Sequence, residues 1–355
     1  MSAYRNLNLG AKLVNGVPHS FSRSSFFQPI IDIYNNKGGV TNESLNCRLP
    51  ARCSIFDLSH YNILKVSGKD KLSSLQKTFT TNVYNCGWNR VQDSLILNDD
   101  GKIVDKVLVV NNNEFVSIIT SPGKEDYVSE TLKSMGQNVS VDNISNQYDI
   151  FAIQGCYSRA AMNKIFYFLR LNFRNLIHEP HTCAVDTEKI IINKDITGTS
   201  GYILCIPKCE TENLFSKILL QPNIYMSGDE ALDVNRVEAR ILGNTELSEG
   251  LTPAEANQLH LVDINKGKFV GYDKIINVNN SFIKPDRVLK SVTANEYDTN
   301  FKKLYDSNNN EIGEVSRMCY SPYLKCYKGF GYFSDSNINF CKSKNNQKIE
   351  LMDLY

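Results

Sequence analysis

A carboxylate and an ammonium group stand side by side in a predicted β-hairpin. The stretch Leu95–Val110 reads LILNDDGKIVDKVLVV, in which residues 98–101 (Asn-Asp-Asp-Gly) predict a tight turn between two strands. Asp105 and Lys106 interrupt the second strand, and strand alternation sends their side chains to opposite faces. A charge that faces a core is costly unless it is paired or lines a cavity, so one of the two faces a pocket or a partner. On local evidence alone, an ordinary hairpin with a solvated Asp–Lys pair is the favoured interpretation.

The composition indicates an ordinary globular protein. The 355 residues can form two or three domains, and 39 Lys and Arg balance 38 Asp and Glu. We therefore expect neither a nucleic-acid nor a membrane-surface partner, and no apolar run approaches the ~20 residues that span a bilayer. The ten cysteines form no C-x-x-C pair, which predicts reduced thiols and no metal site.

Residues 51–276 predict an α+β fold with two similar halves, about 51–145 and 146–276. The first half reads strand, helix, strand, strand, helix, which is typical of an antiparallel sheet covered by helices. Its elements are the strand Tyr61–Ser67, the helix Lys69–Lys77, the hairpin, the strand Phe115–Thr120 and a helix over about 124–135. The second half has strands at Ile150–Ile153, Lys189–Asn193 and Tyr202–Ile206, and helices at Ser158–Leu169, Glu212–Leu220 and Gly228–Ile241.

Residues 277–355 predict a separate all-β barrel, because short strands alternate there with polar, Asn-rich turns. The candidate strands are Arg287–Thr293, Lys302–Asp306, Glu311–Arg317 and Gly329–Phe333.

The amino-terminal segment, residues 1–50, has an unusual beginning. Residues 1–31 contain no acidic residue but carry basic residues and five serines, as organellar transit peptides do. We expect a mitochondrial location on this basis. The alternative is an ordinary folded start in a cytoplasmic protein, which the stretch Leu9–Val14 favours because it contains the first of the ordered motifs given below.

Residues 250–276 combine a helix-cap signal with a glycine-bounded loop. Thr252 and Pro253 followed by Glu255 are good capping chemistry. The loop Lys266–Gly271 does not match the Walker spacing for a phosphate cradle, so a structural turn is favoured.

The order of the short motifs is more specific than any one motif. From about Gly10 to Phe333 the chain resembles the glycine cleavage T-protein, an aminomethyltransferase. The motifs in order are GAKLV, RCSIFDLSH, LNDDGKIVDKVLVV, FAIQG, ITGTSGY, RVEA, LTPAEANQLHLVDINKGKFVGYD and IGEVSRMCYSPYLKCYKGFGY.

The resemblance implies a folate-binding α+β domain of two ferredoxin-like halves, followed by the barrel. It implies transfer of a one-carbon unit from a lipoyl-bound aminomethyl group to tetrahydrofolate, with release of ammonia. The implied partner is the lipoyl-bearing carrier protein of the glycine cleavage system, and we expect a monomer.

Asp105 matches the first Asp of the family hairpin, whereas the resemblance places the catalytic carboxylate at the second; we assign the catalytic role in this chain to Asp105, the carboxylate that is present. We assign the folate contacts to a further set of residues: Lys106, Thr199, Tyr202, Arg236 and Glu238. Lys106 stands at the second Asp of the family hairpin, and Thr199 stands at a family Glu. A neutral hydroxyl bond is about half as strong as a charge-assisted one. Arg236 and Glu238 have an alternative interpretation as a salt-bridge network.

Two classes of function therefore remain open. The first is an aminomethyltransferase that uses Asp105. The second is a non-catalytic relative that keeps the scaffold, or a folate-binding relative of the iron–sulfur assembly type. The iron–sulfur branch carries KGCYxGQE where this chain has Lys266–Asp273, and the absent Cys and Gln argue against it.

Overall fold

The computed structural model describes most of the chain. The described residues are 11–14, 17–21, 40–112, 114–169, 179–186, 188–247, 250–298, 302–334, 338, 340–343 and 347–354. The predicted transit peptide lies largely outside them. The described part of that segment forms two paired antiparallel strands, Ala11–Val14 (β1) and Val17–Phe21 (β2).

The α-helices of the described chain are short. They are α1 (Val40–Leu45), α2 (Lys71–Thr78), α3 (Glu125–Ser134), α4 (Ser158–Leu169), α5 (Lys208–Leu219), α6 (Asp229–Glu238), α7 (Asn244–Leu247) and α8 (Tyr272–Ile275).

The strands that follow β1 and β2 form two sheets and a barrel. The sheet strands are β3 (Cys53–Asp57), β4 (Asn62–Ser67), β5 (Arg90–Leu97), β6 (Ile103–Asn111), β7 (Val116–Thr120), β8 (Ser140–Asn143), β9 (Tyr148–Gln154), β10 (Cys183–Asp186), β11 (Lys189–Asn193), β12 (Gly201–Pro207) and β13 (Ile224–Met226). The barrel strands are β14 (Val288–Ala294), β15 (Lys303–Tyr305), β16 (Glu311–Ser321), β17 (Cys326–Phe333), β18 (Phe340–Lys342) and β19 (Lys348–Met352).

A five-stranded sheet, in the order β5-β6-β7-β4-β8, contains the predicted hairpin. A six-stranded sheet has the order β10-β11-β12-β9-β3-β13, in which β13 runs parallel to β3 and the other described pairs are antiparallel. The predicted α+β fold is therefore confirmed.

Two hydrophobic cores lie on opposite faces of the six-stranded sheet. On one face, α4 and α5 pack their apolar stripes against Ile153 and Leu204. On the other face, Ala152 and Ile203 pack with residues of the five-stranded sheet such as Ile119. Each strand residue alternates between these cores, which explains why β12 is buried along its whole length.

The carboxy-terminal barrel is closed, in the order β14-β17-β16-β15-β18-β19, as the polar-turn pattern predicts. Its interior is filled by side chains such as Val292, Leu304 and Phe333. The sequence pattern missed β18 and β19, because one has three residues and both follow polar, Asn-rich segments.

A third core joins the predicted hairpin to the carboxy-terminal region. Leu95, Leu97 and Ile103 share this core with Leu289 and Phe330 of the barrel. The hairpin, although early in the chain, therefore packs with residues that are synthesised much later.

By contacts, the chain divides into two compact units. The first unit comprises residues 1–74, 84–92 and 107–235, and the second comprises 75–83, 93–106 and 236–355. The predicted domain boundaries near residues 50 and 276 stay predictions. All ten cysteines are free thiols, and no helix in the described ranges is long and apolar enough to cross a membrane.

Candidate functional site

Asp105 lies on β6 and is buried, with only 2% of its surface exposed. Ile103, Asp105 and Val107 share one buried face of the strand, whereas Val104 and Lys106 on the other face are half-buried. The locally favoured interpretation of two solvated charges is therefore wrong for Asp105. The reason is tertiary packing: the residues before and after Asp105 on the same face of β6, Ile103 and Val107, are also buried. Asp105 and Lys106 each interact with other groups.

The turn before β6 is held by the side chain of Asn98. Its Oδ1 accepts hydrogen bonds from the amides of Asp100 at 3.1 Å and Lys102 at 2.9 Å. The amide of Gly101 donates to the carbonyl of Asn98 at 2.9 Å, and Gly101 has a φ of 74°. The predicted Asn–Gly turn chemistry is confirmed, and it fixes the register of the strand that carries Asp105.

The glycine-bounded loop Lys266–Gly271 packs directly on this turn. A Cβ at Gly271 would lie 2.6 Å from the carbonyl oxygen of Asn98 and 3.0 Å from the Cα of Gly101. The ammonium group of Lys266 donates to the carbonyl of Gln76, and burial lowers the pKa of Lys266 to about 8. The loop is thus a structural brace for the hairpin, as the sequence favoured.

Glu255 anchors the first residues of β6 from the other side. Its Oε2 accepts from the Thr252 amide at 2.8 Å and lies 3.3 Å from the Lys102 ammonium, and its amide donates to Thr252 Oγ1 at 3.2 Å. Burial raises the pKa of Glu255, but the Thr252 hydrogen bonds and the Lys102 charge outweigh it and hold the pKa below its usual range. The predicted cap forms, although residues 253–257 are turns instead of a regular helix. The amide of Ile103 also donates to the carbonyl of Leu251 at 2.7 Å.

Arg236 and Glu238 are engaged by partners within the second unit. The guanidinium of Arg236 forms a bidentate pair with Glu246, at 2.7 and 3.1 Å, and donates to the carbonyl of Ile241 at 3.1 Å. Glu246 is 1% exposed, and Glu238 accepts a 2.6 Å hydrogen bond from Ser321 Oγ. Arg236 thus takes part in a salt bridge, with Glu246, whereas Glu238 is held by a hydrogen bond from Ser321.

Thr199 lies in a rigid turn of the first unit. Asp195 Oδ1 accepts from the amides of Thr197 at 2.8 Å and Gly198 at 3.1 Å. The hydroxyls of Thr197 and Thr199 lie 3.1 Å apart, and Arg48 donates to the Thr197 carbonyl at 2.7 Å. Thr199 is half-buried, so its hydroxyl is held in place at the surface of the unit.

Gln154 hydrogen-bonds to the backbone that leads into the turn of Thr199. It is fully buried, accepts from the Ile196 amide at 3.1 Å and donates to the Lys194 carbonyl at 3.1 Å. Next to it, Tyr202 is 3% exposed and packs in the core between the six-stranded sheet and α4 and α5. Tyr202 therefore supports the sheet, with its ring inside the unit.

Sequence reasoning missed three residues that hold these features in place: Arg48, Gln154 and Glu246. Gln154 has a signal, since a polar residue ends the apolar strand FAIQ. Arg48 and Glu246 have none, because their partners are 149 and 10 residues away along the chain. Among the described residues, no group of three or more His, Cys, Asp or Glu side chains is arranged to hold a metal ion.

Two of the residues assigned to folate, Thr199 in the first unit and Lys106 in the second, are half-buried. A hydroxyl and an ammonium group can each hydrogen-bond to a ring nitrogen or oxygen atom. Tyr202 packs in a core, Arg236 forms an ion pair and Glu238 accepts a hydrogen bond, each within its own unit.

Comparison with known proteins agrees with the motif order. An aminomethyltransferase of Caldanaerobacter subterraneus subsp. tengcongensis is 26% identical over 278 residues, which are 76% of this chain and 74% of that protein. Another, from Thermoanaerobacter pseudethanolicus, is 24% identical over 318 residues, or 84% of this chain and 86% of that one. The crystal structure of glycine cleavage system aminomethyltransferase T from Bartonella henselae has the same fold, with a TM-score of 0.81 at 19% identity over 98% of this chain and 94% of that chain. A family model described as the GCVT N-terminal domain matches residues 4–266, and the chain therefore belongs to that family.

Proposed function

We propose that the protein is an aminomethyltransferase of the glycine cleavage system. It would transfer the one-carbon unit of a lipoyl-bound aminomethyl group to tetrahydrofolate, releasing ammonia. The observation that carries this proposal is the burial of Asp105 on a strand whose first residues are braced by Leu251, Glu255 and the Lys266–Gly271 loop. Family membership and the curated relatives support the reaction class.

Asp105 has the chemistry that this transfer needs. Tetrahydrofolate, when bound, supplies the amine nitrogen that accepts the carbon. That nitrogen must lose a proton as its new bond to carbon forms, and a carboxylate can take the proton or stabilise the positive charge that develops. A buried carboxylate on a braced strand does this with little reorganisation, because surrounding water does not screen it.

The folate contacts at Lys106, Thr199, Tyr202, Arg236 and Glu238 stay predictions from the resemblance. Thr199 and Lys106 are the two that offer partly exposed polar groups. For Arg236, Glu238 and Tyr202 we favour a supporting role, because their polar or aromatic groups are already used inside the protein.

The decisive experiment pairs calorimetry with a transfer assay. Wild-type protein should bind tetrahydrofolate, and Asp105→Asn should bind it while losing transfer by at least ~100-fold, as loss of a catalytic proton acceptor does. Asp99→Asn is the matched control, since Asp99 is an exposed carboxylate of the same hairpin. Equal turnover of Asp105→Asn and Asp99→Asn would remove Asp105 from the mechanism.

The second candidate is a non-catalytic relative that keeps the scaffold. The observation that favours it is Lys106, which stands where the resemblance expects a carboxylate and cannot act as one. Absence of any heat with millimolar tetrahydrofolate would leave this candidate and exclude the enzyme.

The partner and location follow from the same proposal. We propose a lipoyl-bearing carrier protein as the partner of a monomer, and a mitochondrial location supported by the acid-free residues 1–31. Imaging of a fluorescent fusion, with and without those residues, tests the location; identical cytoplasmic signal from both would contradict it.

A further inference from the structure

A pocket of about 380 Å³ lies in the first unit, on residues that the proposed transfer does not use. Its walls come from the loop before β5, from the first residues of β5 and from the turn before β10. The volume falls within the range of ~300–1,000 Å³ that is usual for small-molecule sites.

The frame of this pocket is held by backbone hydrogen bonds. The amide of Val91 donates to the carbonyl of His181 at 3.0 Å, and the amide of Cys183 donates to the carbonyl of Asn89 at 2.9 Å. The side-chain amide of Asn111 donates to the carbonyl of Cys86 at 2.7 Å. Backbone hydrogen bonds therefore fix both sides of this open surface pocket.

One wall residue has an uncommon backbone conformation. His181 has a φ of 59°, in the left-handed region that side chains with a Cβ rarely adopt. Its amide and carbonyl are both hydrogen-bonded, to Asn193 and Val91, so the surrounding strands impose the conformation.

The polar groups of the pocket are suited to a carboxylate. Arg90 is the cation of the wall, and its Nη2 already holds the carboxylate of Glu179 at 3.0 Å. Both partners are exposed, at 48% and 70% of their side-chain surfaces, so water weakens their pair. Asn85 and Gln92 add amide donors to the same cavity.

The lining also contains side chains without a formal charge. Val91 and Cys86 are buried, and burial raises the pKa of Cys86 to about 11, which keeps its thiol neutral. The pocket therefore pairs one guanidinium with an apolar floor.

We propose that this pocket binds a small organic monocarboxylate. The ligand carboxylate takes the place of Glu179 on Arg90, and the apolar body of the ligand packs on Val91 and Cys86. Glu179 acts as an internal competitor that leaves when the ligand enters. The site goes beyond the proposed transfer reaction, and its test requires no catalytic activity.

Trp88 makes the test direct. It is the single tryptophan of the chain, is 72% exposed and lies in the loop between Gly87 and Arg90. Its fluorescence therefore reports on the pocket without a label. Titration of the full chain with benzoate should change the tryptophan emission and saturate in the millimolar range, whereas neutral benzamide should have no saturable effect.

Two substitutions give effects of opposite sign. Arg90→Gln should weaken benzoate binding at least ~10-fold, as loss of a charge-assisted hydrogen bond does. Glu179→Gln should tighten it several-fold, because the competing carboxylate is gone. Arg159→Gln, which removes an exposed arginine from α4, is the control and should bind as the wild type does.

Two outcomes would contradict the proposal. Equal responses to benzoate and benzamide, or a Glu179→Gln variant that binds benzoate no better than wild type, would overturn the proposal. Because Glu179 is an exposed residue outside any helix or strand, that variant should fold, so the outcome does not depend on Arg90→Gln being stable.

Discussion

At the scale of single residues, the second unit contains one buried charge pair whose role can be separated from ligand binding. Arg236 is 7% exposed and Glu246 is 1% exposed, and two hydrogen bonds join them. The Glu246 carboxylate also accepts a hydrogen bond from the amide of Gly243 at 2.9 Å and lies 3.6 Å from the guanidinium of Arg317. The pair closes the connection between α6 and α7 and so fixes the end of α6.

Removing one partner of this pair should destabilise the protein. Arg236→Met leaves the Glu246 carboxylate buried beside Arg317 alone, and the expected loss is ~3–5 kcal/mol in the free energy of unfolding. Chemical denaturation of wild type, Arg236→Met and Arg236→Met/Glu246→Leu checks this, and the double variant should recover part of the loss. A folate-binding role predicts the reverse pattern, with unchanged stability and weaker tetrahydrofolate binding.

Residue types alone identified Asp105 but could not determine its burial. Alternation separates Asp105 from Lys106, yet which face is inside depends on residues such as Leu251 and Glu255, about 150 positions later. The same limit applies to Arg236, whose partner Glu246 is reached only after the chain turns at Gly243.

At the scale of elements, the hairpin depends on how closely two turns approach each other. Gly101 and Gly271 both have positive φ, of 74° and 80°. A Cβ added to Gly101 would clash with the turn of Gly271, and a Cβ added to Gly271 would clash with the turn of Gly101. The two turns therefore need glycine for both conformation and space. The displacement of either one would move the start of β6, and Asp105 with it.

Gly271→Ala should cost more than Gly123→Ala. Both positions have positive φ, of 80° and 74°, which alone costs ~1–2 kcal/mol for alanine. Only Gly271 adds a backbone clash, at 2.6 Å from the Asn98 carbonyl, whereas nothing lies within 4 Å of a Cβ at Gly123. Thermal unfolding of both variants measures the difference. If the two melt together, the close packing of the turns contributes no stability.

Element boundaries show where sequence patterns succeed. Helix α4 begins and ends as predicted, because its apolar residues repeat with the helical period and Gly155 precedes it. Helix α5 begins four residues earlier than predicted, at Lys208, directly after Pro207. The predicted helix Gly228–Ile241 ends at Glu238, where Arg236 starts its network and Arg240 adopts a φ of 60°.

At the scale of the whole molecule, the all-β character of residues 277–355 follows from the sequence, since short strands between polar turns encode it; the two strands that close the barrel, β18 and β19, do not. The pairing order of the six-stranded sheet does not follow. It places β13 beside β3, which are more than 160 residues apart, and no local pattern reports such a contact. The contacts that hold the strand of Asp105 in place, with Leu251 and Glu255, also join residues far apart in the sequence.

Overall stability should fall in mild acid because of one histidine. Burial lowers the pKa of His60 below its usual 6.5, and Asp229 and Asp57 offset this only in part. The unfolded chain then binds a proton that the folded chain does not, so stability decreases as pH falls through about 6.5. Urea unfolding at several pH values should show that the free energy of unfolding depends less steeply on pH in His60→Gln than in wild type. If the free energy of unfolding changes with pH equally in wild type and His60→Gln, His60 does not contribute to the acid sensitivity.

The hairpin that carries Asp105 has a consequence for biosynthesis. Leu95, Leu97 and Ile103 belong to a core completed by Leu289 and Phe330, so a ribosome must add nearly 200 further residues before those side chains are covered. Throughout that interval the growing polypeptide carries apolar side chains whose core is incomplete. We expect chaperones to bind the chain during translation, and chains truncated before Phe330 to leave the hairpin without part of its core.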